Sequence, residues 1–221
     1  MHRSISLFLT AGALLVGCGK DDGKAPAKDP GAGKAGSAGA TAAPDDWQPQ
    51  DHSDEPIATV HDAIGALRFA IDLPGDLDRE ATDHYVHWGF KRNPFIEPSI
   101  TVQVIDPALY PADLDSAVRQ ANMITGGEER EVATRKETEG GGFLVTTQRQ
   151  DGQFLRVGCW ARNGDAAVEG TFIQRTGTGR AEDGPIPNLD RTRRWAEMIC
   201  GSLRVDPPGA PDPAAPAQPA P

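Results

Sequence analysis

Residues 142–175, GFLVTTQRQDGQFLRVGCWARNGDAAVEGTFIQR, constrain the fold more than any other stretch of this chain. Asp151-Gly152 and Asn163-Gly164 are each the dipeptide that a type I′ hairpin turn favours, because both central residues of that turn need positive φ. They divide the stretch into strands of about 142–150, 153–162 and 165–175, and turns this short join only antiparallel neighbours. Two-residue turns also set the register, with Gln150 facing Gln153 and Arg162 facing Asp165. Counting outward with a period of two, one face of the meander collects Leu144, Thr146, Leu155, Val157, Cys159, Val168 and Phe172. That face is expected to lie on the core. The opposite face, with Val145, Arg149, Phe154, Arg156, Trp160, Glu169 and Ile173, is more mixed.

The amino-terminal end carries a different signal. Arg3 precedes an apolar run from Ile5 to Val16. A membrane-spanning helix needs about 20 apolar residues, so the run is too short to span. A basic start, a short apolar core and a small-residue end are the layout of an export signal, here residues 1–17. Leu15-Val16-Gly17-Cys18 resembles the bacterial lipobox at every position. That resemblance implies lipidation of Cys18 through its sulfur, cleavage before it, and acylation of the new amino terminus. More than one acyl chain anchors a protein stably, so the lipid bilayer becomes a partner through Cys18. Gly19 follows the cysteine where an aspartate would favour the inner membrane of enteric bacteria, which points to the outer membrane, facing the periplasm.

Residues 18–56 read as the lipidated cysteine and a tether. Gly, Ala, Pro, Lys and Asp dominate, and such a composition buries too little surface to offset chain entropy. Gly31, Gly33 and Gly36 match the dinucleotide fingerprint, but no strand leads in and no helix follows, so the match is that of a glycine-rich linker. Residues 207–221 form a Pro/Ala tail. One domain remains, 57–206, a normal size for a single core. It holds 17 basic and 23 acidic residues, a net of −6. This acidity makes nucleic acid and anionic lipid head groups poor partners.

With Cys18 assigned to lipid, Cys159 and Cys200 are left in an exported protein, where thiols oxidise. Cys200 lies in NLDRTRRWAEMICGSLRV, a helix with Asn188 or Asp190 as candidate caps and Gly201 at its end. Leu189, Thr192, Ala196, Ile199 and Cys200 share one side of it. Sheet register and helix periodicity thus place both cysteines on the core, and a Cys159–Cys200 disulfide is expected. The alternative is two buried free thiols.

Upstream, LRFAIDLP alternates as a half-buried strand, and DHYVHWGF and SITVQVID read as two more. PADLDSAVRQANMI is a helix behind Pro111 and Asp113, and REVATRKE is a further strand. The order defines an α+β domain, an antiparallel sheet with a C-terminal three-strand meander and helices packed on it. With its FAIDLPGDL opening strand and a last helix running into GSLRV, the domain resembles the PsbP-like fold of small envelope lipoproteins. That resemblance implies an α/β/α sandwich and an accessory or assembly role, and it brings no catalytic motif.

The chain shows no G-x-S-x-G, H-E-x-x-H, Walker A or C-x-x-C motif, and neither catalytic residues nor a cofactor are expected. His84 and His87 stand three apart on a strand and so point to opposite faces, which leaves them, with His61 nearby in sequence, as ordinary histidines and no metal site. Phe95 and Ile96, between Pro94 and Pro98, are the candidate contact for a partner protein, or side chains tucked back into the core. The 176–188 segment is either a binding lid or a connection, and Arg191, Arg193 and Arg194 beside Trp195 form a solvated helix face or an anion contact. The expected function is that of a non-enzymatic binding or assembly module for another, unidentified envelope component. A small-molecule or metal-binding module is second, and a hydrolytic envelope enzyme third.

Overall fold

The computed structural model describes residues 49–91, 97–123, 130–176 and 184–207. In chain order the elements are β1 (Ile57–Ile64), β2 (Leu67–Pro74), β3 (Leu77–Ala81), β4 (Tyr85–Phe90), β5 (Ser99–Val104), a 3-10 turn (Pro107–Leu109), α1 (Leu114–Met123), β6 (Glu131–Glu137), β7 (Phe143–Gln148), β8 (Phe154–Asn163), β9 (Ala166–Arg175), α2 (Leu189–Gly201) and β10 (Arg204–Val205). They form an α+β fold with two antiparallel sheets, one ordered β1-β2-β10 and one ordered β3-β4-β5-β9-β8-β7-β6. A single sheet is expected from the sequence; the second arises because β2 pairs with β1 and β10 rather than with the meander.

The meander is β7-β8-β9. Its first hairpin keeps the expected pairing, with Gln148 opposite Leu155 and Thr146 opposite Val157. The second turns one residue later, around Gly164-Asp165, so that Asn163 faces Ala166. This moves each partner by two positions, which preserves the alternation, and no side chain changes face. Neither turn is type I′: Gly152 (φ 72°) and Gly164 (φ 60°) take positive φ, whereas Asp151 and Asp165 do not. In the first, the Gly152 amide donates to the Arg149 carbonyl at 3.0 Å and Asp151 Oδ1 accepts from the Gln153 amide at 3.0 Å, so a longer loop does the reversing.

The larger sheet has apolar side chains on both faces. On one, Leu144, Leu155, Val157, Cys159, Val168 and Phe172 meet Trp195, Ala196, Ile199 and Cys200 of α2 and Phe69, Ile71 and Leu73 of β2 in the main core. Edge-to-face ring pairs cross this interface, Phe69 on Trp88 at 6.1 Å and Phe172 on Trp195 at 5.8 Å. On the other face, Phe143, Val145 and Trp160 pack under Ala117 and Ala121 of α1, whose small side chains let the helix sit close. Asp113 starts α1 by accepting the Ser116 amide at 2.7 Å. Asn188 does not cap α2 in this way. It sits at φ 49° with no side-chain bond to the helix, and its amide is turned to Asp51 at 2.5 Å.

Gly170 lies opposite Cys159 in the meander. A Cβ there would stand 2.6 Å from Cys159 Sγ and 2.8 Å from Leu203 Cδ2. Gly170→Ala is therefore expected to cost about 1–3 kcal/mol by overpacking, read as a lower denaturant midpoint at unchanged m-value.

Candidate functional site

Cys18, Phe95 and Ile96 lie outside the described residues, as does most of the 176–188 segment. The remaining candidates are dispersed. His61 is on β1 of the smaller sheet, exposed, with Nδ1 3.5 Å from Asp206. His87 is on β4 of the larger sheet, with Nδ1 3.0 Å from Thr101 Oγ1, and His84 is exposed just ahead of that strand. Among the described residues no group of three or more His, Cys, Asp or Glu side chains is arranged to hold a metal. On α2, Arg191 pairs with Asp54, Arg193 with Asp190 at 2.8 Å, and Trp195 is buried beneath them. Arg191 and Arg194 also line a shallow depression of about 420 Å³ with Asn188, Leu189 and Asp190.

Cys159 and Cys200 do converge. Both are 1% exposed thiols in the main core, and Cys200 Sγ is 3.6 Å from the Val157 carbonyl. Burial, reinforced by its neighbour's thiol, pushes the Cys159 thiol well above the ordinary cysteine value. Buried in the core between β8 and α2, this pair is placed to tie helix to sheet.

A groove of about 670 Å³ lies between the β6–β7 turn and the carboxyl end of α2. Asp72, Glu137, Glu139 and Glu197 bring carboxylates to it, against Lys136 and Arg204 as cations, and Met198 is 52% exposed at its edge. Two of the acids are held in place: Asp72 accepts from Thr59 at 2.6 Å, and Glu197 from Thr146 at 2.9 Å. Ser202 donates to the Ile199 carbonyl at 2.7 Å and accepts the Asp72 amide at 2.7 Å, which joins α2 to β2 at the groove floor. The negative end of the α2 dipole faces the same way, so the groove favours positive charge. No motif announces it, because its residues come from β2, the β6–β7 turn and α2.

A second feature without a sequence signal is His52. Its Nδ1 is 2.6 Å from Glu55 Oε1, its Nε2 is 2.8 Å from Glu97 Oε2, and its ring stacks on Phe90 at 3.8 Å. The folded part thus begins ahead of β1, within residues whose composition resembles the tether.

No helix among the described residues is long and apolar enough to cross a membrane. The architecture defines an α+β protein built of two antiparallel sheets and two helices. No protein family and no characterised protein matches the sequence. Among solved structures, the chain is similar to the Saccharomyces cerevisiae Ran-binding protein Mog1p, at 12% identity over 68% of this chain and 96% of that one, with a TM-score of 0.49. It is also similar to LpqN, involved in cell envelope biogenesis of Mycobacterium tuberculosis, at 12% identity over 70% and 94% with a TM-score of 0.39. Likeness at these levels carries nothing about activity or partner.

Proposed function

We propose that the chain is a lipid-anchored protein of the bacterial envelope whose domain is a non-enzymatic binding or accessory module for another envelope component. The observation that carries this reading is Leu15-Val16-Gly17-Cys18 at the end of an export signal, followed by a Gly/Ala/Pro-rich tether that leads to one folded domain. Lipid on Cys18 would hold the domain at the outer membrane, on its periplasmic side, within reach of the tether. The groove at the end of α2 would receive a basic surface of the partner, with Phe95 and Ile96 as a second, apolar contact. Such a partner gains from electrostatic steering as well as contact.

The test is a photo-crosslinking amino acid at Met198, and separately at Phe95, in the full lipid-anchored chain. A discrete protein adduct from either position is the expected outcome, and Cys18→Ser should move the chain out of the membrane fraction and abolish the adduct. An unchanged membrane fraction in Cys18→Ser would overturn the anchor, and no adduct from either position would overturn the binding role. The groove volume also falls in the range of small-molecule sites. Native mass spectrometry retaining a small ligand on the purified chain would favour that second reading.

A further inference from the structure

The two glycine turns of the meander are held very differently. At Asp151-Gly152 the glycine is buried and its amide donates to the Arg149 carbonyl at 3.0 Å. The Asp151 carboxylate accepts the Gln153 amide at 3.0 Å and pairs with Arg149 at 2.6 Å. At Asn163-Gly164 the backbone is open. Gly164 is exposed, the position its Cβ would take has no atom within 4 Å outside its chain neighbours, and its amide has no hydrogen-bond partner among the described residues. The Asn163 carboxamide is held only by Nδ2 to the Val205 carbonyl at 3.5 Å, beyond the usual length of such a bond. Asn163 and Ala166 form the last rung of the β8–β9 ladder, and terminal rungs open at little cost.

We propose that Asn163 is a spontaneous modification site, where the free Gly164 amide attacks the loosely held carboxamide and the hairpin tip converts to aspartate and isoaspartate. The Gly164 nitrogen bonds to Cγ of Asn163 and gives its proton to a solvent base. The carboxamide nitrogen takes a proton from water and leaves as ammonia, which closes a succinimide ring. Water then opens the ring at either carbonyl. One opening leaves aspartate; the other leaves isoaspartate, with the main chain routed through the side-chain carbons. Water is the only co-reactant, and nothing is oxidised or reduced.

The other asparagines of the domain lack this combination. Asn93 precedes Pro94, which has no N–H to attack with. Asn122 lies inside α1, where the helix fixes the backbone on both sides. Asn188 is followed by the bulky Leu189, and its amide is tied to Asp51 at 2.5 Å. Conversion at Asn163 has two consequences for the fold. It sets a new carboxylate beside Asp165 and in place of the donor that faced Val205, and the longer isoaspartate backbone breaks the Asn163–Ala166 rung. The hairpin tip thus gains negative charge with the age of the molecule, whether or not Cys18 carries lipid or a partner fills the groove.

The test keeps the full chain folded at mildly alkaline pH and samples it over days, beside a portion unfolded in denaturant. Peptide mass spectrometry reads amide loss at each asparagine, and an isoaspartyl methyltransferase with a labelled methyl donor reads isoaspartate. In the folded chain the Asn163 peptide should convert within a few-fold of the unfolded rate, and faster as pH rises, while the Asn122 and Asn188 peptides keep their amides. Asn163→Gln should abolish methyl labelling of that peptide. Hydrogen exchange of residues 163–166 should quicken in the converted fraction, with β6 and β7 unchanged. An Asn163 that stays intact in the folded chain while the unfolded chain converts, or earlier loss at Asn122 or Asn188, would overturn the site. Unchanged exchange at the tip would overturn its effect on the hairpin.

Discussion

Isolated from an oxidising compartment without reductant, the chain is expected to carry no alkylatable thiol at Cys159 or Cys200, and to lose about 4 kcal/mol of stability on reduction. The magnitude comes from the loop that the bond would close between residues 159 and 200 in the unfolded chain. The fold supports it, since both side chains are buried in one core cluster, where β8 meets α2. In the step itself each thiol loses its hydrogen, an S–S bond forms, and two protons and two electrons leave to a disulfide-bearing oxidant of the envelope, which becomes a dithiol. Exchange needs an accessible thiolate. In the folded state burial denies access to either sulfur, so the bond must form before α2 docks, and reduced protein folded first should resist oxidation. Alkylation and mass measurement with and without reductant, on denatured protein, reads the bond directly. Reduction should lower Tm by about 8–16 °C. The Cys159→Ala/Cys200→Ala chain should ignore reductant. Two free thiols in the untreated chain, or a Tm insensitive to reductant, would remove the disulfide.

What the sequence made legible is what apolar alternation can encode. The meander, β2, β4, β5, β6 and both helices follow their patterns, and the faces of β7, β8 and β9 survive even where the second turn moved, because a shift of two keeps parity. β1 and β3 escaped for a physical reason. β1 carries the buried Asp62 where an apolar residue would have announced a strand, and β3, which is almost wholly exposed, has no apolar face; Arg79 of β3 satisfies Asp62 with two hydrogen bonds of 2.7 Å. β10 is two residues long and carries no period at all; it forms because α2 delivers Arg204 and Val205 beside Ala70 and Phe69. The same holds for the candidate site. The groove and the His52 trio are assembled from segments far apart in sequence, and only the fold brings Glu97 to His52 or Glu139 to Glu197. Trp195 is not among the residues that periodicity assigns to the core side of its helix, yet it is buried there beside Ala196 and Ile199, because the large indole reaches past its arginine neighbours.

Glu169→Gln is expected to cost about 3–5 kcal/mol, as much as any single change in the domain, because it strips a buried guanidinium of its counter-charge. Arg156, 3% exposed on the α1 face of the sheet, reaches Glu169 at 3.2 Å and the Ala121 carbonyl of α1 at 3.3 Å. Its Nε has no hydrogen-bond partner among the described residues, so the side chain is already under-compensated. Burial pulls its pKa down from the ordinary arginine value, with the charge of Glu169 opposing. Glu169 in turn accepts from Gln103 of β5 at 2.9 Å, so the pair links the helix layer to β8, β9 and β5. Two effects compete in any replacement: the attraction that the pair supplies and the cost of keeping two charges out of water. Removing one partner forfeits the first and leaves the second. Removing both, as Arg156→Met/Glu169→Leu, abolishes the second as well, and stability should return most of the way even though Gln103 loses an acceptor. Denaturant curves on both single variants and the double variant close the cycle. Single losses under 1 kcal/mol would show that water reaches Arg156, and a double variant no better than the singles would show that the hydrogen bonds to Ala121 and Gln103, rather than the charge balance, hold α1 on the sheet.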